Sequence, residues 1–331
     1  MKKLSLTYNN IILNVVCDDY IERLIKYHFK NHLMFSKYDI NPTYTLIISE
    51  NISKPNGKYY LMTDKWFDNA TLDCYIDNDS KICFSTNFRA STLKYKELLI
   101  QYFVANLFNR LLEIEGYLGV HSSCVEQNGN GVLFVAGRNS GKTICMLNLM
   151  NDGFNSVTND KIALKYIGHQ VIGYGIAQSV SIRLSPEFCA QPENQKYVKL
   201  ALERDINIKN QNMLEGNNIV LNDIELADLN NVNQVFDTSI SCIITPTYDP
   251  HIKTPIFQRL KPEQIRNSIV DQYMSLVHDT TSFFKDIKLG EEINRDTTLE
   301  KIVNIPSYLC KQNENTTKEF VDTIRKLILK K

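Results

Sequence analysis

Three features are missing from this chain of 331 residues. It contains no apolar run of about 18 to 20 residues, so a membrane-spanning helix is not expected. Its eight cysteines are scattered without a CxxC pair or a Cys/His cluster, which favours buried, reduced thiols over a zinc site or a disulfide framework. Neither charge is in excess, with 37 basic and 37 acidic residues. We therefore expect no general affinity for nucleic acid or for an anionic membrane.

The amino-terminal segment MKKLSLTYNNIILNVV also lacks the pattern of a targeting sequence. Polar residues interrupt its apolar part, and no small-residue cleavage site follows. A pair of β-strands that turn at Asn9 and Asn10 explains the segment better. Together with the absence of a membrane span, this predicts a cytoplasmic protein.

The sequence divides into two folded units joined by a helix. Residues 1–92 contain short strand-like segments and one early helix, and they predict an α+β domain. The amphipathic pattern over residues 93–116 predicts a connecting helix. Residues 117–331 mix strands and helices and predict an α/β domain. An apolar content of 43% is enough for two cores.

The stretch AGRNSGKT, at residues 136–143, is the most informative motif. It matches the pattern [Ala/Gly]-x-x-x-x-Gly-Lys-[Ser/Thr] of a phosphate-binding (Walker A) loop, with a strand-like VLFV before it and a helix-like TICMLNLM after it. Alanine in place of the first glycine adds only a methyl group, which is acceptable unless the residue needs a positive φ. The predicted nucleotide-binding residues are Ala136, Gly137, Arg138, Asn139, Ser140, Gly141, Lys142 and Thr143.

The residue types in this loop suit a phosphate chain with a metal. Gly137 and Gly141 allow backbone N–H groups to turn toward a phosphate, and the helix N-terminus adds its partial positive charge. Lys142 supplies a cation for the β- and γ-phosphates, and the hydroxyl of Thr143 can ligate Mg²⁺. The motif therefore predicts ATP or GTP together with Mg²⁺.

Other polar residues have more than one interpretation. Arg138 faces either the nucleotide and its acceptor or the solvent, and Ser140 shapes the loop. Arg183, in SIRL, is either a charge stabiliser facing the phosphates or part of a surface ion pair. The metal also requires a carboxylate after a nearby strand. Asp160, in NDKIAL, is a better candidate than Asp249. Asp249 does not directly follow the strand-like SISCIIT but lies further along the chain.

The stretch from His121 to Leu164 resembles the catalytic domain of HPr kinase/phosphorylase and of HPr-kinase-like proteins, which share a core with phosphoenolpyruvate carboxykinases. The parts that carry the resemblance are VHSSCVEQNGNGVLFVAGRNSGKTICMLNLMNDGFNSVTNDKIAL. Weaker similarities follow in YGIAQSVSIRL, SCIITPTYDPHIKTPIFQRLKPEQI and VNIPSYLC, so the resemblance extends over about two thirds of the chain. It implies a phosphate-loop domain with a mixed sheet in residues 117–331.

The resemblance also implies roles for three residues. Asp160 matches the metal-side carboxylate of the family's acidic pair, and His121 matches the histidine beside that pair. At the other acidic position, the family has a carboxylate that resembles a general base for the attacking hydroxyl. This chain has Asn159 there instead. Three interpretations remain open: His121 takes the proton instead, phosphoryl transfer needs no strong base, or the protein binds nucleotide without transferring phosphate.

The resulting functional hypotheses belong to different classes. The first is a kinase that places the γ-phosphate on a Ser or Thr of a small protein or precursor peptide, with residues 1–92 docking the acceptor. The second is a nucleotide-binding switch or assembly protein with little or no transfer, which Asn159 favours. The third is carboxykinase-like chemistry on a small acid, for which the sequence offers no convincing additional ligands. Each of these three functions is compatible with a homo-oligomer.

Overall fold

The computed structural model describes residues 1–8, 11–30, 33–36, 42, 44–49, 57–64, 70–77, 83–89, 93–176, 180–204, 218–277, 284, 287 and 296–328. The chain divides into two compact units. The first comprises Met1–Tyr117 and Ser275–Asn294, and the second comprises Leu118–Met274 and Arg295–Lys331. Both units combine helices with a mixed sheet. The predicted turn at Asn9 and Asn10 lies outside the described residues.

The first unit contains a seven-stranded sheet in the order β3-β1-β2-β4-β7-β6-β5. The β2–β4 and β4–β7 pairs are parallel and the others are antiparallel. Its elements are β1 (Lys2–Tyr8), β2 (Ile11–Cys17), α1 (Asp19–Phe29), β3 (Met34–Ser36), β4 (Tyr44–Ile48), β5 (Gly57–Asp64), β6 (Ala70–Asp77), β7 (Cys83–Arg89) and α2 (Leu93–Ile114).

Helix α1 forms where its sequence provides a cap and an apolar face. The side chain of Asp18 accepts a hydrogen bond from the backbone N–H of Ile21 at 2.7 Å, which satisfies one of the free donors at the helix start. Ile21, Ile25 and Phe29 recur at helical spacing and are buried.

Helix α2 groups with the first unit. Near its end, the carboxylate of Glu113 accepts hydrogen bonds from the hydroxyl of Ser275 and from the backbone N–H of Leu276. These contacts attach a later segment of the chain, which returns to the first unit after completing most of the second. Sequence order alone gives no sign of this return.

The second unit is built around an eight-stranded sheet. Its strands are β8 (Leu118–Gln127), β9 (Asn130–Val135), β10 (Asn155–Thr158), β11 (Lys161–Ile167), β12 (Gln170–Gly175), β15 (Asp237–Tyr248), β16 (Ile256–Arg259) and β17 (Ser307–Gln312), with β13 (Val180–Arg183) and β14 (Asn218–Leu221) in a separate pair. Its helices in the described residues are α3 (Lys142–Asn151), α4 (Pro186–Ala190), α5 (Gln195–Arg204), α6 (Asp223–Asn230), α7 (Pro262–Asp271), α8 (Asp296–Ile302) and α9 (Thr317–Ile328).

The pairing of five strands in this unit closes into a ring. Strand β8 pairs with β9, β9 with β15, β15 with β12, β12 with β11, and β11 with β8. The β9–β15 pair is parallel and the other four are antiparallel, so the sheet is mixed. This arrangement fixes β8 and β9, which lead to the phosphate loop, between neighbours on both sides.

Strand β9 shows why the sequence before the loop is apolar throughout. Successive side chains of a strand point to opposite faces of the sheet. Val132 and Phe134 pack in one core with helices α3 and α9, whereas Leu133 and Val135 pack in a second core with α7 and α8. Because both faces are buried, VLFV is a continuous apolar run rather than an alternating one.

The bounds of several elements in the second unit are defined by the structure rather than by the sequence pattern. The stretch SVTNDKIALKYI is two strands, β10 and β11, and β15 continues beyond Thr245 to Tyr248. Helix α7 ends at Asp271, and the chain becomes extended at Tyr273, which pairs with Val120. Seven cysteines are free and buried, as predicted. Among the described helices, none combines the length and the apolar character needed to span a membrane.

Candidate nucleotide-binding site

The stretch AGRNSGKT lies where a phosphate loop must lie, between the end of strand β9 and the start of helix α3. Gly141 has a φ of 94° at the helix N-cap, a left-handed conformation that glycine adopts at little cost. Asn139 also has a positive φ, of 60°, whereas Ala136 does not. The alanine at the first position therefore causes no backbone strain.

Lys142 folds back over its own loop. Its Nζ donates hydrogen bonds to the carbonyl oxygens of Ala136 at 2.8 Å and of Gly137 at 2.9 Å, and the hydroxyl of Ser140 donates to the same Gly137 carbonyl. Burial lowers the pKa of Lys142, the nearby carboxylate of Asp160 opposes this shift, and Arg138 adds to it. A partly desolvated ammonium group inside a loop of this kind gains stabilisation from an added anion.

Thr143 and Asn159 are hydrogen-bonded to each other. The hydroxyl of Thr143 donates to Oδ1 of Asn159 at 3.0 Å. Asn159 stands in the two-residue break between β10 and β11, which run along the same strand β8: Thr158 pairs with Cys124, and Lys161 with His121. The break turns Asn159 and its neighbour toward the start of α3.

Asp160, the second residue of this break, contacts His121. Its Oδ1 lies 3.0 Å from Nε2 of the imidazole, and its carbonyl accepts a hydrogen bond from the N–H of Ser122. Asp160 has a φ of 78°, an uncommon conformation for a non-glycine residue that is often found at functional sites. The backbone N–H of His121 donates to the carbonyl of Gln272 at 2.8 Å, which fixes the strand that carries the imidazole.

The side-chain oxygen atoms of Thr143 and Asp160 are of the type that binds Mg²⁺. The hydroxyl of Thr143 and the 45%-exposed carboxylate of Asp160 are hard oxygen ligands. The residues that the structure describes contain no cluster of three or more His, Cys, Asp or Glu side chains for a metal. Mg²⁺ in nucleotide sites takes only one or two protein carboxylates and completes its shell with phosphate oxygens and water, so the residues present fit it.

The two arginines among the predicted site residues occupy different places. Arg138 is exposed in the loop, and its charge acts on Lys142. Arg183 is exposed at the end of β13, which pairs with β14 outside the large sheet, and its charge contributes to lowering the pKa of Glu187. The structure therefore places Arg138 in the loop and Arg183 at the end of a strand outside the large sheet, and the role of each stays a prediction.

Two residues near the loop escaped the sequence analysis. The hydroxyl of Ser123 donates to the carbonyl of Lys142, which ties strand β8 to the first turn of α3. Lys161 is 1% exposed and pairs with His121 across β8 and β11, so the two side chains lie on the same face. The sequence feature that could have drawn attention to Lys161 is its charge at the start of the otherwise apolar segment KIAL.

Comparison with known proteins adds little to this geometry. The chain matches no known family model, and no curated protein sequence is similar to it. Among solved structures, the HPr(Ser) kinase/phosphatase from Coxiella burnetii is 14% identical, with a TM-score of 0.32 over 64% of this chain and 99% of that one. A likeness of this extent establishes neither the fold nor the activity, so the family resemblance stays a prediction.

Proposed function

We propose that this chain is a nucleotide-dependent kinase that transfers the γ-phosphate of ATP or GTP to a hydroxyl group. The observation that carries the proposal is the meeting of the phosphate loop with the β10–β11 break. Thr143 of the loop is hydrogen-bonded to Asn159, and the adjacent Asp160 contacts His121 while its charge acts on Lys142. A cation, a hydroxyl, a carboxylate and an imidazole are thus gathered at one helix N-terminus.

Each of these groups has a task in phosphoryl transfer. Lys142 and the first backbone N–H groups of α3 would hold the β- and γ-phosphates. Thr143 and Asp160 would hold Mg²⁺, which neutralises charge on the phosphates when bound. The acceptor oxygen forms a bond to the γ-phosphorus while the bond to the bridging oxygen of the β-phosphate breaks, and the nucleoside diphosphate leaves.

The hydroxyl proton of the acceptor needs a destination. One nitrogen of a neutral imidazole is a donor and the other an acceptor. With Nε2 of His121 held by Asp160, Nδ1 is the nitrogen that would take the proton. Asn159 positions Thr143 and is not a base, because an amide does not accept a proton at neutral pH.

The nature of the acceptor rests on the resemblance of residues 121–164 to HPr-kinase-like proteins. We propose a Ser or Thr in a small protein or precursor peptide, docked by residues 1–92. The alternative is a nucleotide-binding switch or assembly protein with little or no transfer. One observation favours it: the residue bonded to Thr143 is an amide rather than a carboxylate.

The proposal is tested by following the radiolabelled γ-phosphate of ATP and of GTP with Mg²⁺, both into water and into a library of Ser- and Thr-containing peptides. The kinase should release or transfer phosphate, and Lys142→Ala and Asp160→Asn should abolish this while leaving thermal unfolding unchanged within a few degrees. Tight binding with neither hydrolysis nor transfer would favour the switch. Absence of binding would contradict both functions.

A further inference from the structure

A cavity of about 390 Å³ lies beside the phosphate loop in the second unit. This volume falls within the range of roughly 300–1,000 Å³ found for small-molecule pockets. Gly141, the last residue of the loop before the helix, forms part of its wall, so the cavity begins where the loop ends. The remaining walls come from α3, from α4 and the turn after it, and from the ends of β15 and β17.

The cavity and Thr143, a proposed metal ligand, lie on neighbouring faces of helix α3. Ile144 and Asn148 are four residues apart on α3, so they share a face, and both line the cavity. Thr143, one residue earlier, instead points to Asn159. A nucleotide with its β- and γ-phosphates at Lys142 and Thr143 extends its α-phosphate and nucleoside past this first turn. The cavity offers the space for that extension.

The charge of the walls excludes phosphate from the cavity itself. Glu187, Glu193 and Glu314 line it, and no lysine or arginine is among the lining residues of the described chain. The backbone N–H of Glu187 and the hydroxyl of Ser185 lower the pKa of Glu187, so this carboxylate is ionised at neutral pH. Within the described residues, Oδ1 of Asn194 is buried without a hydrogen-bond donor. The walls are therefore rich in acceptors and suit a ligand that supplies N–H and O–H donors.

The apolar part of the wall suits a flat ring. Phe188 is buried, and Tyr248 is 53% exposed with its hydroxyl donating to Glu314 at 3.1 Å. This hydrogen bond limits the orientations of the tyrosine ring while leaving its face accessible. Aromatic faces bind nucleobases by stacking, which tolerates different bases.

We infer that this cavity binds the nucleoside part of the nucleotide, with a base that carries an exocyclic amino group stacked on Tyr248 and the ribose hydroxyls donating to the wall carboxylates. The inference rests on the proposed nucleotide site and adds its specificity: adenine, guanine and cytosine have the amino group, whereas hypoxanthine and uracil lack it. The phosphate loop would supply charge-based affinity, and the cavity would supply base selection.

The test measures affinity by calorimetry in Mg²⁺ for ATP, GTP, inosine triphosphate and inorganic tripolyphosphate, which has no nucleoside. The better of ATP and GTP should bind at least about tenfold more tightly than inosine triphosphate or tripolyphosphate. Tyr248→Ala should weaken the binding of that nucleotide at least about fivefold, the lower end of what the loss of one base–aromatic stack costs. It should leave the affinity for tripolyphosphate unchanged, and Tyr248→Phe should retain the ring and the affinity.

Tyr59→Ala is the matched control, because Tyr59 is 51% exposed in the first unit and should not affect binding. Equal affinities for ATP, GTP and tripolyphosphate, or nucleotide binding unaffected by Tyr248→Ala, would overturn the inference and leave the phosphate site intact. If the unmodified protein binds neither nucleotide nor tripolyphosphate, the proposed function itself fails, and the nucleoside site fails with it.

Discussion

The hydroxyl of Thr143 donates a hydrogen bond to Oδ1 of Asn159 at 3.0 Å. This bond connects the loop residue that we propose as a ligand of Mg²⁺ with the position at which the resemblance to HPr-kinase-like proteins implies an acid. An amide can orient the hydroxyl but cannot take a proton from an acceptor. The His121–Asp160 pair, one residue further along the chain, is the group that can. In the proposed mechanism, Asn159 therefore positions the loop, and His121 takes part in the acid–base step.

Asn159→Asp should raise the rate of phosphate transfer or hydrolysis. A carboxylate keeps the hydrogen bond from Thr143 and adds a second proton acceptor beside His121, so we expect a rise smaller than the about 10²- to 10⁴-fold that a sole general base contributes. Steady-state rates with saturating nucleotide and Mg²⁺ measure the effect. Asn128→Asp, an exposed turn residue, is the control and should change nothing. No increase in the Asn159 variant would mean that a base does not limit the reaction.

His121→Gln should lower turnover much more than nucleotide affinity. Glutamine can still contact Asp160 but cannot accept the proton, so we expect a fall of about 10²- to 10⁴-fold in rate. His251→Gln, at an exposed histidine, should leave turnover unchanged. Equal losses of rate and affinity in His121→Gln would instead indicate that the imidazole shapes the binding site.

Nucleotide binding should be accompanied by proton uptake at alkaline pH. Burial lowers the pKa of Lys142 from its usual 10.5, so the free protein begins to lose this proton below that value. Phosphate favours the ammonium form and raises the pKa again, and uptake follows between the two pKa values. Calorimetry in two buffers of different ionisation enthalpy measures it. The uptake should disappear at pH values well below the lowered pKa, and it should be absent at every pH in Lys142→Arg, because arginine does not titrate in this range.

Gly141→Ala should destabilise the fold by about 1–2 kcal/mol, because an L-residue pays this cost in the left-handed region. The φ of Gly141 is 94°, and an added Cβ would lie 3.4 Å from Nε2 of Gln312. Gly137→Ala is the matched change, since nothing lies within 4 Å of its Cβ position and its φ is not in that region. Thermal unfolding of both variants tests the difference. Equal stability of the two would contradict the loop geometry.

The strand–turn–helix order around AGRNSGKT could be predicted because its signal is local. A strand, a glycine-rich turn and a helix follow each other directly in residues 130–151, and the structure has them in these places. Asp160 was a candidate both from its place after a nearby strand and from the resemblance, whereas His121 was a candidate through the resemblance alone. Their contact at 3.0 Å depends on the pairing of β8 with β11, which no local pattern specifies.

Features built from distant segments could not be predicted. The cavity combines Ile144, Phe188, Tyr248 and Glu314, which approach only when four separate elements pack. The grouping of residues 275–294 with the first unit also depends on contacts between distant parts of the sequence. Glu113 accepts hydrogen bonds from Ser275 and Leu276, which lie far from it along the chain. Arg183 carried a charge that suited phosphate, yet its strand lies outside the large sheet.

Calorimetric titration of the protein with ATP and with GTP in Mg²⁺ tests the central claim most directly. Lys142→Ala is the test variant, and Lys196→Ala is its control, because Lys196 also donates to two side-chain oxygens and burial also lowers its pKa. The proposed function predicts saturable binding that Lys142→Ala weakens by about tenfold or more, the equivalent of one hydrogen bond to a charged group, and that Lys196→Ala retains. Binding that survives Lys142→Ala, or no binding by the unmodified protein, would contradict a working phosphate loop.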